Sequence, residues 1–121
     1  MNMLSIIPIF RMFDEYKAKE FYLDYLGFRL DWEHRFEDNS PLYMQVTLNN
    51  FSLHLSEHYG DCSPGSSIRL TIDDLEVFHK GLLEKNYKYL RPGIECTEWN
   101  TLEVRLTDPF GNKIIFSQVI G

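Results

Sequence analysis

The sequence predicts an α+β fold: two tandem βαβββ modules, at about 3–57 and 66–119 of one domain spanning 1–121, forming a curved mixed sheet with the helices on its outer face. Three observations predict it. The order strand, helix, then three strands can be read twice along the chain. The helical stripes of the two halves share one offset, which pairs Phe21 with Phe78 and Leu26 with Leu83. The later strands of each half carry one apolar and one polar face, as a sheet covered by a helix on one side requires.

Taken in order, LSIIPIF (4–10) reads as a strand in which Pro8, lacking an amide donor, marks an edge or a bulge. Asp14 is a good N-cap. After it Ala18, Phe21, Tyr22, Tyr25 and Leu26 fall at helical spacing, and Gly27 suits the left-handed C-terminal position, giving a helix of about three turns. Phe28, Leu30, Trp32, His34 and Phe36 alternate with Arg29, Asp31, Glu33 and Arg35, the period-two pattern of a half-buried strand. LYMQVTL and FSLHLS then form a hairpin across Asn49 and Asn50, a pair suited to a type I′ turn.

The loop YGDCSPGS (59–66) breaks any regular element and separates the halves. SSIRLTI (66–72) is the next strand. Asp73 and Glu76 have the spacing of a capping box, and Leu75, Phe78, Leu82 and Leu83 stripe the second helix. A short strand is predicted around 87–90. LEVRLT and KIIFSQ flank the turn DPFGN as a closing hairpin, with Asp108, Gly111 and Asn112 assigned to turn chemistry.

With the turn at Asn49 and Asn50, Leu48 pairs with Phe51, Val46 with Leu53 and Met44 with Leu55 on one apolar face. Tyr43, Gln45, Thr47, Ser52, His54 and Ser56 occupy the other. In the second half Leu102, Val104, Leu106, Ile114 and Phe116 belong under the helix, and Glu103, Arg105, Lys113 and Ile115 opposite them. The polar faces either line a trough that binds something or simply meet water, and pattern alone weighs these equally.

Composition narrows the function. A net charge of −6 without clustered Lys and Arg argues against nucleic acid and suits a cationic ligand better. No stretch approaches the roughly 20 apolar residues of a membrane helix, and the first residues lack the basic, apolar and small-residue pattern of a signal peptide. A cytoplasmic protein is therefore expected, with Cys62 and Cys96 as reduced thiols and no membrane partner.

Three segments together resemble the glyoxalase, bleomycin-resistance and extradiol-dioxygenase (vicinal oxygen chelate) superfamily. KEFYLDYLGF (19–28) is similar to its first helix with the "FY…LGF" ending, IDDLEVFHKGL (72–82) to its "VDD" start of the second helix, and LTDPFGNKIIF (106–116) to its "DPdGN" turn and last strand. Within it, IPIF (7–10) and EWNTLEVRLTDPFGN (98–112) look most like bleomycin-resistance proteins, although Asn100, Thr101 and Leu102 depart from their "WG" and "REF" pattern. The resemblance implies a homodimer whose subunits complete each other's trough. It also places the four metal-ligand positions of metal-dependent members at Ile7, His54, Ser67 and Ile115, of which only His54 is a ligand type. No metal and no cofactor is therefore expected.

The resulting expectation is a binding protein of the bleomycin-resistance type that sequesters a cationic antibiotic or similar small molecule without catalysis. Trp99, Glu103, Tyr43, Gln45, His54, Trp32 and Arg105 are the candidate ligand contacts, with aromatic rings for stacking and Glu33, Glu98 and Glu103 to meet positive charge. Trp32 divides evenly between core and trough. His54 is a polar lining group or a hydrogen-bonded structural one, since HLSEH lies on a strand and not on the helix that an HExxH site needs. Glu57, His58 and Asp61 pin the inter-module loop. The alternative is a metal-dependent lyase or dioxygenase built on His34, His54 and Glu103.

Overall fold

A computed structural model describes residues 1–121. Its elements are β1 (Ile9–Arg11), α1 (Glu15–Lys19) running into a π-helical stretch (Glu20–Tyr25), β2 (Arg29–His34), β3 (Tyr43–Leu48), β4 (Phe51–Ser56), β5 (Ser67–Thr71), α2 (Leu75–Glu84), β6 (Glu95–Cys96), β7 (Thr101–Thr107) and β8 (Lys113–Val119). They build two four-stranded mixed sheets of identical topology, β1-β4-β3-β2 and β5-β8-β7-β6. The first and fourth strands of each module pair in parallel, which needs the helical crossover that both modules contain. This is the tandem βαβββ arrangement that the sequence predicts.

The first strand is shorter than expected. Only Ile9–Arg11 joins the ladder, at the edge of its sheet, while the Pro8 carbonyl accepts from the His54 amide at 3.0 Å and residues 1–8 form no strand. Asp14 caps the helix as expected, its carboxylate accepting from the Lys17 amide at 3.0 Å. From Glu20 the bonding widens to i→i−5, as between the Leu26 amide and the Phe21 carbonyl, and Gly27 then ends the helix at φ 85°. Phe21, Tyr22, Tyr25 and Leu26 point inward and are all buried.

The β3–β4 register matches the expectation at every pair. Its turn does not, because type I′ needs positive φ at both central residues and only Asn49 has it, at 53°. The capping box at Asp73 and Glu76 is also absent. Asp74 precedes the helix in the left-handed region at φ 50° with an idle side chain, and the Leu75 amide is capped instead by Gln118 Oε1, 2.8 Å away on β8. Residues 87–90 form a turn, not a strand, and the short strand lies at Glu95–Cys96. There it pairs with β7.

Nineteen buried apolar residues form one core under both modules, with Met44, Val46, Leu53 and Leu55 from the first sheet and Val104, Leu106, Ile114 and Phe116 from the second. Each such side chain contributes on the order of 2 kcal/mol through its removal from water. The modules are clasped at the DPFGN turn. Asp108 accepts there from the Phe110 and Asn112 amides and, at 2.6 Å, from the Tyr22 hydroxyl of the first helix. Fully buried Asn112 donates to the Arg11 carbonyl at 2.8 Å and accepts from the Gly65 amide. The motif residues do perform turn chemistry, and they also join the halves of the chain. Glu57 likewise pins its loop, accepting from the Leu42 amide at 2.9 Å, whereas Asp61 accepts from the Ser56 hydroxyl.

Candidate functional site

The period-two reading of 28–36 is overturned by a β-bulge. Leu30 pairs with Val46 and Trp32 with Gln45, so Asp31 is an extra residue and the facing of the strand switches across it. Leu30 packs against the core, while Trp32 stands on the polar face and stacks on Tyr43, with ring centroids 6.0 Å apart and planes 10° apart. Trp32 also meets His54 edge to face at 5.4 Å. The same switch brings the Asp31 carboxylate onto this face, where it accepts from Thr47 and, at 2.9 Å each, from Gln45 Nε2 and Arg29 Nε.

These contacts form one directed chain. The Tyr43 hydroxyl bonds His54 Nδ1 at 2.6 Å, and His54 Nε2 bonds Gln45 Oε1 at 2.9 Å. Because the Gln45 amide nitrogen donates to Asp31, its oxygen must accept, so His54 carries its proton on Nε2 and Nδ1 accepts from Tyr43. Burial pushes the His54 pKa down, which agrees with the neutral ring. Burial raises the Tyr43 phenol. Hydrogen bonds from Thr47, Gln45 and Arg29 hold Asp31 at about 2, so it is ionised and anchors the chain. The four expected residues Trp32, Tyr43, Gln45 and His54 are thus brought together, and Asp31 joins them.

The polar face of the second sheet differs. Arg69 on β5 and Arg105 on β7 both pair with Ile115 on β8, so their side chains flank one isoleucine. Both arginines reach Glu103, Arg105 Nη2 bonding its Oε1 at 2.9 Å and Arg69 Nη1 bonding its Oε2. Thr101 and Ser117 also donate to Glu103, at 3.0 and 3.3 Å. Its side chain is fully covered, which corrects its expected role, because a sealed and paired carboxylate cannot meet a cationic ligand. Burial raises its pKa, and the bonds from Arg69, Thr101 and Arg105 outweigh this and hold it at about 2.

Glu33 pairs with Lys19 of α1 at 2.9 Å, alongside the helix, and only Glu98 of the three expected acids remains free on the surface. Trp99 sits exposed between β6 and β7, beside Asn100 at φ 63°. It stacks on no other ring and is not brought near Trp32, which lies in the other sheet.

The residues do not fit a metal centre. Both nitrogens of His54 are engaged, and its parallel-strand neighbour is Ile9, as Arg69 is that of Ile115. Nowhere do three His, Cys, Asp or Glu side chains converge as a ligand set, and His34, His54 and Glu103 do not come together. Every hydrogen bond between modules runs through the helices, the DPFGN turn or the linker, and none leaves the polar faces. A cleft of about 300 Å³ lined by Phe21, Tyr87, Tyr89 and Leu90 lies on the helix side, away from both faces. No helix is long and apolar enough to cross a membrane.

The family model for glyoxalase superfamily proteins matches residues 1–121. The chain belongs to the glyoxalase superfamily. Solved structures of similar fold include a bleomycin-binding protein complexed with bleomycin, 22% identical over 96% of this chain and 98% of that one, with a TM-score of 0.73. A glyoxalase/bleomycin resistance protein from Streptomyces sp. CB03234 is 24% identical over 93% and 97%, with a TM-score of 0.69. The antibiotic-binding protein TnmS3 from the same organism is 24% identical over 98% and 99%, with a TM-score of 0.66. At such identities the likeness establishes the glyoxalase-superfamily fold and no particular ligand. No curated protein matches the chain.

Within this superfamily fold, the residues that sequence reasoning missed are Asp31 and Arg69. Asp31 was hidden by an alternation that runs unbroken through the bulge. Arg69 had a signal, a lone cation at an alternate position of SSIRLTI opposite the expected polar face of the last strand.

Proposed function

We propose that this protein sequesters a small molecule without a metal, holding it against the polar faces of its two sheets, with a second copy of the chain completing the site. The observation that carries this reading is the Trp32–Tyr43–His54 surface. Tyr43 and His54 are fixed by a hydrogen-bonded chain ending on Asp31, and Trp32, 43% exposed, packs against both rings. Rings held in place lose little freedom when a flat ligand stacks on them, which favours affinity. His54 spends both nitrogens on holding this surface, a positioning role that leaves neither free to bond a ligand directly.

A surface larger than a compact monomer's, with apolar Met1, Met3, Leu4 and Ile6 exposed, supports the role of a second copy. The accessible surface is 7791 Å², against about 6,800 Å² expected for a compact monomer of this mass. The named relatives support an antibiotic as the ligand class, with bleomycin as the leading candidate.

Titration with metal-free and Cu²⁺-loaded bleomycin, followed by tryptophan fluorescence, tests the reading. Saturable quenching at micromolar drug or below is expected for the wild type and for Trp99→Phe, and its loss in Trp32→Ala. Absence of quenching in the wild type rejects the antibiotic. Quenching that survives in Trp32→Ala but not in Trp99→Phe moves the site to the β6–β7 turn.

A further inference from the structure

We propose that the face of the second sheet is an oxyanion subsite, where Arg69 and Arg105 together receive a carboxylate or phosphate group of the ligand. This deepens the reading above and rests on it, since it names the chemistry of the second half of the same site.

The arginines are held by a group that a ligand cannot reach. Glu103 is buried with its acceptors filled by Arg69, Arg105, Thr101 and Ser117, so it acts as an anchor that fixes both guanidinium groups from beneath. Each guanidinium has five N–H donors. Arg69 spends one on Glu103, and Arg105 spends one on Glu103 and forms an ion pair with Glu95 at 3.4 Å. The side chains remain 44% and 48% exposed, so the other donors look outward.

Between them lies Ile115, an apolar floor that offers no competing acceptor. Two cations over one covered anion leave a local excess of one positive charge on a chain whose net charge is −6. Glu95 offsets part of it, but weakly, because that carboxylate is 59% exposed and its pair with Arg105 is screened by water. Lys113, paired with Thr107 at the end of the same face, adds positive charge. Guanidinium groups already fixed in direction lose less freedom on binding an oxyanion than free ones. A cation would meet two arginines here, so a positive part of the ligand belongs away from this face.

The test is an NMR titration of the whole protein in low-salt buffer with inorganic phosphate in one arm and acetate in the other, reading Arg Nε–H and the Ile115 amide. Saturable shifts of Arg69, Arg105 and Ile115 are expected, and the anion that saturates first identifies the group. Arg69→Gln and Arg105→Gln should each weaken binding at least tenfold. Glu103→Gln, which sets an amide N–H against one guanidinium and so loosens the anchor, should weaken binding as well. No saturable shift with either anion, or unchanged affinity in both arginine variants, overturns the proposal. Should one arginine variant not fold, the wild-type titration and the other variant decide. Bleomycin quenching reports on Trp32 in the other sheet, so failure of the anion subsite and failure of the sequestration reading are seen separately.

Discussion

Two tyrosines three residues apart on one helix face make a controlled experiment. Tyr22 and Tyr25 are both buried, at 0% and 2% exposure. The Tyr22 hydroxyl donates to Asp108 at 2.6 Å, whereas the Tyr25 hydroxyl has no partner at all. Removing the first breaks a hydrogen bond to a charged group, worth about 1.5–3 kcal/mol. Asn112 Nδ2 still reaches the same carboxylate oxygen at 3.0 Å, so the acceptor is not stranded and the lower half of that range applies. For a chain of this size the loss corresponds to a fall in Tm of about 5–10 °C. Removing the second deletes a buried polar group that is already unsatisfied, while the ring keeps its stack on Tyr87 at 4.4 Å.

Tyr25→Phe should therefore leave Tm unchanged or raise it by a few degrees. Calorimetry or circular-dichroism melts at pH 7 measure both variants. A pH series adds a second reading. The Tyr22 bond favours ionised Asp108 and so lowers its pKa, although burial raises it overall. The wild-type advantage over Tyr22→Phe must then be present at neutral pH and shrink as pH falls through the Asp108 pKa. Equal effects of the two substitutions, or a Tyr22→Phe penalty that does not change with pH, would refute the reasoning.

Two further outcomes follow from the geometry. Glu103 is held at about 2, below its ordinary 4.5, so it contributes stability that is full above that ordinary value and is lost as pH falls towards 2. Acid unfolding of Glu103→Gln should accordingly start from a lower plateau and show a shallower limb between about pH 5 and 2 than the wild type, and parallel limbs would contradict this. Gln118→Ala should uncap the second helix at Leu75 and cost about 0.5–2 kcal/mol in urea unfolding, as loss of a local cap does, while Asp73→Ala, whose side chain caps nothing, should cost little.

Local signals carried most of the fold. The β3–β4 register followed from the difference between its two faces, Asp14 and Gly27 from cap chemistry, and the closing hairpin from the DPFGN turn. The failures have nonlocal causes. The amide at Leu75 is satisfied by a glutamine 43 residues away, so the nearer Asp73 and Glu76 mimicked a box that the fold does not use. The candidate site was legible where alternation was intact, as for Tyr43, Gln45 and His54. Glu103 was assigned to the right face and the wrong exposure. Facing can be read from one strand, but coverage depends on Arg105 further along β7 and on Arg69 from β5, which lies beyond β8.

The bulge at Asp31 makes strand length a determinant of what the first sheet presents. Deleting that one residue would restore unbroken pairing with β3 and leave Trp32 opposite Gln45 on the polar face, but it would take away the carboxylate that Gln45, Thr47 and Arg29 share. The ladder on either side would remain intact. Besides substitution, a strand of this sheet thus has a second way to change what its wall offers: a single codon gained or lost, which sets whether one residue or two stand on the polar face between successive ladder partners.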